Sequence, residues 1–193
     1  MLEENALGIS VLLVYIVIFA VALLIAMIPV VINAIGLARI CNKLGAFAPV
    51  WCWVWALLCP PIAILRAGDW AAMRQSPFPT RSHFQTGITS VIATTVLAVL
   101  SYLLIAMAGL TAESGLGAFS VVLIIVVILL CIALFAIAIW MTVLLYISYF
   151  RIFKLYVPTW GAWLMLAGMV LLSQFSFLLL PVLSFLPMRE GID

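Results

Sequence analysis

Three long, nearly unbroken apolar runs dominate the chain, and shorter mixed stretches lie between them. The runs cover residues 7–38, 87–108 and 118–150. An α-helix rises about 1.5 Å per residue, so about 20 apolar residues cross the roughly 30 Å hydrocarbon core of a bilayer. The middle run has that length, whereas the first and third have 32 and 33 residues. The pattern predicts three transmembrane helices, of which two tilt, kink or project beyond the bilayer.

Two further apolar stretches, at residues 50–65 and 160–187, do not have the pattern of an ordinary span. The first contains three tryptophans and the pair Pro60-Pro61, and the second carries Ser173-Gln174 near its middle. Cytoplasmic loops are enriched in Lys and Arg, so the basic residues decide whether these stretches cross. If all five apolar segments span, the eight basic residues divide five to three between the two sides; if only the three long ones span, all eight share one side.

The eight-to-none distribution favours an all-α integral membrane protein with three long transmembrane helices and two non-spanning helical hairpins. We expect the hairpins, at 50–65 and 160–187, to be re-entrant or interfacial and to lie on the cytoplasmic side. The N-terminus is then outside and the C-terminus cytoplasmic. We expect residues 1–193 to form a single membrane domain.

The two halves of the chain share an order of motifs that predicts an internal repeat. The first long run leads into Arg39-Ile40 and then Pro49-Val50-Trp51, and the third leads into Arg151-Ile152 and then Pro158-Thr159-Trp160. The single span between the halves restores the chain direction, so the copies would be parallel and related by an axis along the membrane normal. The predicted units are repeat 1 at 7–69, a linking span at 87–108 and repeat 2 at 118–193.

These motifs resemble those of a group of uncharacterised small polytopic membrane proteins of bacteria. In that group a helix ends in a basic K-x-G turn and a segment with Trp and Pro follows. The resemblance is carried by Arg39-Ile-Cys-Asn-Lys43-Leu-Gly45 with Arg66-Ala-Gly-Asp69, and in the second half by Tyr149-Phe-Arg151-Ile-Phe-Lys154 with Pro187-Met-Arg189. It implies the same architecture, here duplicated, and no activity.

Composition and charge exclude several classes of function. The chain is 69% hydrophobic and 7% charged, whereas soluble domains are about a quarter charged. This excludes a soluble enzyme, a secreted disulfide scaffold and a nucleic-acid-binding protein. The four cysteines and the single His83 show no metal-binding spacing, so we expect no metal or cofactor. We expect residues 66–84 to form a polar loop that contains Asp69 and a solvated His83. We place the other acidic residues in loops or at helix ends and predict that the protein is not an enzyme.

Polar residues within the apolar segments are the candidates for contacts with a solute or for packing. Ser90, Thr94 and Ser101 share one helix face, which is either a hydrophilic wall along a solute path or a source of interhelical hydrogen bonds. Asn33 follows Pro29 by one turn, and we expect it to bind a freed carbonyl. Ser173 and Gln174 either touch a solute at a hairpin tip or satisfy the backbone of the turn, and the sequence leaves both possibilities open.

A second group of residues is expected at the membrane surface. Tryptophans anchor at the headgroup level, and basic residues at helix ends bind anionic headgroups or partners, or simply extend to the interface. The candidates are Arg39, Lys43, Arg151, Lys154, Trp51, Trp53 and Trp160. The small-residue pairs Ala22/Ala26 and Ala34/Ala38 predict close helix packing.

Two functions remain compatible with the sequence. The first is a non-catalytic subunit or scaffold of a larger complex in a bacterial-type inner membrane, with the lipid bilayer and other membrane subunits as partners. The alternative is a small-solute or ion transporter or channel built on the duplicated unit. A transporter predicts a polar cavity between the hairpins, whereas a scaffold predicts dry packing and an apolar outer patch.

Overall fold

The computed structural model describes residues 2–76, 82–113, 117–171 and 178–188, in which seven helices follow one another. They are α1 Leu2–Leu44, α2 Pro49–Leu58, α3 Pro60–Gln75, α4 His83–Glu113, α5 Gly117–Lys154, α6 Thr159–Leu171 and α7 Leu179–Phe185. Three of them, α1, α4 and α5, are long and apolar enough to cross a membrane. The predictions of a helical, multi-pass membrane protein and of three candidate spans are confirmed.

The long helices extend beyond the apolar runs that predicted them. The first, for example, continues from the predicted end at Ala38 to Leu44. It stops there in a Schellman turn: the Gly45 N–H donates to Asn42 O at 3.1 Å and the Ala46 N–H to Cys41 O at 2.9 Å. Gly45 has a φ of +72°, a conformation that glycine adopts without a steric cost. The helix therefore ends at a glycine signal rather than where its apolar residues end.

The segment after the first tryptophan-rich stretch is helical where a polar loop was expected. Helix α2 ends at Leu58, and after Cys59 helix α3 begins at Pro60. Proline is favoured in the first turn of a helix because its missing N–H has no partner there. Helix α3 then continues to Gln75, ten residues past the predicted end at Leu65. The expectation of a loop from Arg66 onward was wrong, because tertiary packing buries most of this turn-like sequence.

Helix α3 lies among the three long helices. It contacts α1, α4 and α5, while α2 and α7 pack on α1, α6 packs on α5, and α4 pairs with α5. The C-terminal ends of α1 and α5 meet the start of α4 at one end of the molecule, which we call the basic end. It carries the six described basic residues, Arg39, Lys43, Arg66, Arg74, Arg151 and Lys154. The apolar core lies here, and its largest fully buried members are Phe153, Leu37, Ile40, Leu44, Ile152, Leu180 and Leu183.

The first part of α1 has no packing partner in the described chain. All side chains from residue 13 to 28 are exposed, on every side of the helix. The contacts of α1 with α2, α3 and α7 involve its C-terminal part, where Ala34, Leu37 and Ala38 are buried. We call residues 13–28 the free segment of α1.

Candidate functional site at the basic end

A buried carboxylate, Asp69 of α3, is the centre of the basic end. It is 1% exposed. Its Oδ1 accepts a hydrogen bond from the His83 N–H at 2.9 Å, and its Oδ2 accepts from Ser82 Oγ and the Phe84 N–H, both at 2.9 Å. Arg151 of α5 lies beside it, with 3.4 Å between Nη1 and Oδ1. One side chain therefore joins α3, α4 and α5.

The contacts of Asp69 follow from the needs of a helix N-terminus. The first N–H groups of a helix have no intrahelical acceptor, and the helix dipole favours a negative charge there. Ser82 caps α4 in part, because its Oγ accepts from the Gln85 N–H at 3.4 Å. Asp69 accepts from the first two N–H groups of α4, those of His83 and Phe84. A residue of α3 thus completes the cap of α4.

Two very close helix crossings hold this end together. At the first, Gly68 of α3 faces Ser148 of α5, and a Cβ built on Gly68 would lie 2.6 Å from Ser148 Cβ. At the second, Gly36 of α1 faces the start of α7, and a Cβ on Gly36 would lie 2.7 Å from Leu180 C and would also overlap Pro181 N. Only glycine fits at these two positions.

The last turn of α3 also joins the ends of α1 and α5. The Arg74 guanidinium donates to Lys43 O at 3.4 Å, and Gln75 Nε2 donates to Arg151 O at 2.7 Å. Carbonyls in the last turn of a helix lack intrahelical donors. Here Arg74 and Gln75 of α3 supply donors to the last turns of α1 and α5. Lys43 in turn donates from Nζ to Ser184 O at 2.5 Å and to Leu186 O at 3.2 Å, at the end of α7.

The arrangement around Asp69 suits a structural clamp. Both carboxylate oxygens already accept hydrogen bonds and the carboxylate faces a guanidinium, so it is held by its partners rather than presented to a substrate. Within the described ranges, no group of three or more His, Cys, Asp and Glu residues could hold a metal ion.

The predicted polar face of α4 is satisfied by its own helix. Ser90, Thr94 and Ser101 each donate to the carbonyl four residues earlier, at 2.8 Å in every case. Thr94 is exposed, Ser90 is half-buried and Ser101 is buried. Hydroxyl groups in apolar helices commonly bond back in this way. In this conformation, the three hydroxyl groups therefore donate neither to another helix nor to a solute.

The predicted surface residues lie in three different situations. Lys43 and Arg151 are engaged within the chain, as described above, and the Arg39 guanidinium lies 4.7 Å from the centre of the Phe185 ring. Lys154 is half-buried in the last turn of α5. Trp51, Trp53 and Trp160 are exposed.

Of the remaining polar candidates within the apolar segments, Asn33 is half-buried, one turn after Pro29. Ser173 and Gln174 lie outside the described residues.

Sequence reasoning missed Asp69 and misplaced His83. Asp69 was expected in a loop and lies buried in α3; His83 was expected in solvent and is the buried first residue of α4. One signal in the sequence points to Asp69, which is the only acidic residue between Glu4 and Glu113. A single carboxylate between apolar segments requires a partner when it is buried. Nothing in the sequence alone identifies that partner as Arg151.

Tyr156 gives a prediction about alkaline pH. Burial raises its pKa from 10.0 to about 12, against the opposing effect of nearby Arg74. The folded protein disfavours the phenolate. The contribution of Tyr156 to the free energy of unfolding is therefore complete below pH 10, and it is lost as the pH rises toward 12. We expect Tyr156→Phe to remove this loss. Thermal unfolding of both proteins at several pH values should show the difference between them growing above pH 10.

At neutral pH the same substitution is expected to change stability by less than about 1 kcal/mol. The reason is that Tyr156 Oη is buried without a hydrogen-bond partner among the described residues, so its removal breaks no bond. A clear destabilisation by Tyr156→Phe at pH 7 would contradict this description of the phenol.

Comparison with known proteins adds no family to this description. No protein-family model matches the chain, and neither a curated protein nor a solved structure matches it. The resemblance drawn from the sequence motifs stays a prediction.

Proposed function

We propose that the protein is a non-catalytic, membrane-embedded subunit or scaffold, and that it holds a helix of another membrane protein against the free segment of α1. The observation that carries this proposal is the contrast between the two ends of α1. The C-terminal part packs within the chain, whereas residues 13–28 are exposed on every side. A segment of a span that the rest of the described chain leaves exposed on every side is available to a partner.

The two small-residue pairs of α1 sharpen the proposal. Ala34 and Ala38, each 1% exposed, lie where α1 packs on its neighbours. Ala22 and Ala26 have the same spacing and are exposed in the free segment. Small residues four apart let helix backbones approach closely in a bilayer. One pair therefore packs inside the chain, and the other offers the same kind of surface to a second helix.

We place the protein in a bacterial-type cytoplasmic membrane, with its N-terminus outside and its C-terminus inside. The support is the basic end, since the described Lys and Arg side chains meet where α1 and α5 end and α4 begins. Positive charge near the ends of spans favours the cytoplasmic side. The apolar core at this end then lies on the cytoplasmic side, and α1 crosses the bilayer from there to the outside.

An internal repeat is part of the proposal, and the two close crossings support it. Gly36 and Ser148 are 112 residues apart, and so are Gly68 and Leu180. Gly36 meets Leu180, and Gly68 meets Ser148. The contacts are therefore reciprocal: the long helix of each half meets the second short helix of the other half. The same interval separates Arg39 from Arg151. This is the pattern expected of two parallel copies related by a two-fold axis.

The repeat is also the observation that favours the transport alternative, because many transporters consist of repeats that meet around a solute site. Against it, the described halves meet at close crossings of glycines with backbone and a small side chain, and the charged groups between them, Asp69 and Arg151, pair with each other. The polar face of α4 is bonded to its own backbone. We therefore prefer the scaffold.

The test is to add bulk to the exposed alanine pair. We expect Ala22→Leu/Ala26→Leu to reduce recovery of the partner from native membranes in mild detergent by at least about fivefold, since overpacking an interface costs about 1–3 kcal/mol. Leu24→Phe/Ile28→Phe, on the opposite side of the same segment, is the control and should leave recovery unchanged. Native mass spectrometry of the eluted protein measures the stoichiometry.

Two outcomes would overturn the proposal. In the first, the alanine variant retains its partner at the wild-type level. In the second, the wild-type protein elutes alone from native membranes. A lone protein that carries ions or small solutes across reconstituted vesicles would establish the transport alternative instead.

A further inference from the structure

Arg66 has surroundings unlike those of the other described basic residues. Its guanidinium carbon lies 5.0 Å from the ring centre of Phe84, 5.8 Å from that of Trp70 and 5.9 Å from that of Phe47. Its Nε donates to Ala46 O at 3.3 Å. We call Arg66 and these three rings the aromatic cluster. It joins the turn after α1, the middle of α3 and the start of α4.

The aromatic cluster fixes the orientation of the guanidinium but leaves its outer edge without an acceptor. In the part of the chain that the structure describes, neither Nη1 nor Nη2 donates a hydrogen bond, and Arg66 has no ion pair. Asp69 is the one acid whose side chain is described, and it faces Arg151 instead. The adjoining segment 77–81 contains no Asp or Glu in its sequence. Among the described residues, this half-buried positive charge therefore lacks a carboxylate partner.

A second donor in the aromatic cluster also lacks an acceptor. Trp70 Nε1 is buried and has no hydrogen-bond partner among the described residues. Trp70 lies one turn after Arg66 on α3, and its ring is one of the three around the guanidinium. An indole N–H can only donate and a guanidinium can only donate. This part of the basic end therefore has more hydrogen-bond donors than acceptors among the described residues, and such surroundings favour an anion beside the Arg66 guanidinium.

We propose that Arg66 binds the phosphate of an anionic membrane phospholipid at the basic end. The two free nitrogens of a guanidinium match two oxygens of a phosphate. The three rings hold the guanidinium in place before the lipid arrives, which reduces the entropy lost on binding. The position favours a lipid over a free anion, because α1 and α5 end here, where the headgroups of a bilayer lie, and aromatic residues prefer that level.

The site differs from the basic residues that the sequence suggested. Lys43 and Arg151 are already engaged by α7 and Asp69. Arg39 is exposed and stacks on a single ring, that of Phe185. Arg39 is therefore a matched control: it is an arginine at the same end of the molecule, with the same charge, but without the three rings and without the fixed Nε.

The experiment measures binding of phosphatidylglycerol to the full-length protein in mild detergent, by native mass spectrometry and by the shift in melting temperature as lipid is added. We expect Arg66→Gln to weaken binding of the tightest lipid at least about tenfold, since it removes charge-assisted hydrogen bonds. Arg66→Lys keeps the charge but has no pair of guanidinium nitrogens to bind two phosphate oxygens, and it should weaken binding by about threefold. Arg39→Gln should change it less than twofold.

Free phosphate tests the source of the anion. Inorganic phosphate and glycerol phosphate at millimolar concentration should not reproduce the stabilisation by the lipid. The proposal is overturned if they do, if both Arg66 variants bind the lipid as tightly as the wild type, or if Arg39→Gln weakens binding as much as Arg66→Gln. Arg66→Lys keeps the test decisive if Arg66→Gln does not fold, which circular dichroism will show.

Discussion

Replacing Asp69 with alanine is expected to lower the free energy of unfolding by about 3–5 kcal/mol, because it leaves a partly buried charge without its partner. The substitution removes the acceptors of the His83 and Phe84 N–H groups at the start of α4 and of the Ser82 hydroxyl. It also leaves the Arg151 guanidinium, 20% exposed, without a counter-charge. The melting temperature of the purified protein in detergent should fall clearly.

A double-mutant cycle separates the cap from the ion pair. Arg151→Met removes the positive charge while filling a similar volume, and the double variant Asp69→Ala/Arg151→Met should be more stable than the sum of the single effects predicts. Asp69→Asn retains one acceptor oxygen, so it should cost less than alanine. Gln75→Ala removes one hydrogen bond at the same end, to Arg151 O, and should cost only about 1 kcal/mol.

The result that would contradict this account is equal stability of Asp69→Ala and Gln75→Ala. The carboxylate would then contribute no more than a single amide hydrogen bond. Additive effects of the two members of the pair would contradict the ion pair specifically while leaving the helix cap intact.

The long helices could be predicted from the sequence because their signal is local. Each apolar run is longer than a bilayer is thick, so its length alone identifies a candidate span. Their ends could not be predicted equally well. The end of α1 depends on Gly45 and the start of α4 on a carboxylate fourteen residues earlier in the chain. The apolar pattern contains neither contact.

The basic end could not be derived from the sequence because its contacts are between distant segments. The stretch from Arg66 to Gln75 contains Gly68, Asp69 and two arginines, and in isolation this composition is typical of a loop. It is a helix here because it packs between α1, α4 and α5. The Arg-Ile motifs at Arg39 and Arg151 predict related positions in the two halves, but they contain no sign that the ends of α1 and α5 are both joined to α3.

Adding a single methyl group at Gly36 is expected to destabilise the protein by about 3 kcal/mol, the upper part of the usual range for overpacking. The new Cβ of Gly36→Ala would overlap the backbone where Leu180 meets Pro181, and backbone cannot move aside without shifting α7. Gly68→Ala is expected to cost somewhat less, because its Cβ would lie 2.6 Å from Ser148 Cβ and 2.8 Å from Ser148 Cα, an overlap less deep than that at Gly36 and shared between side chain and backbone. Ser148→Gly should therefore restore part of the stability of Gly68→Ala.

Alanine substitutions at Gly109 and Gly87 are the controls for the destabilisation expected at Gly36 and Gly68. A Cβ on Gly109 meets nothing within 4 Å, so Gly109→Ala should be neutral or should gain up to about 1 kcal/mol from helix propensity. A Cβ on Gly87 meets the end of the Leu65 side chain, which can rotate, so Gly87→Ala should lie between. Melting temperatures of the four alanine variants in one detergent should give the order Gly36, Gly68, Gly87, Gly109, from the most to the least destabilised. If Gly36→Ala and Gly109→Ala are equally stable, α1 and α7 do not cross at Gly36, and the reciprocal contacts that support the repeat lose one of their two members.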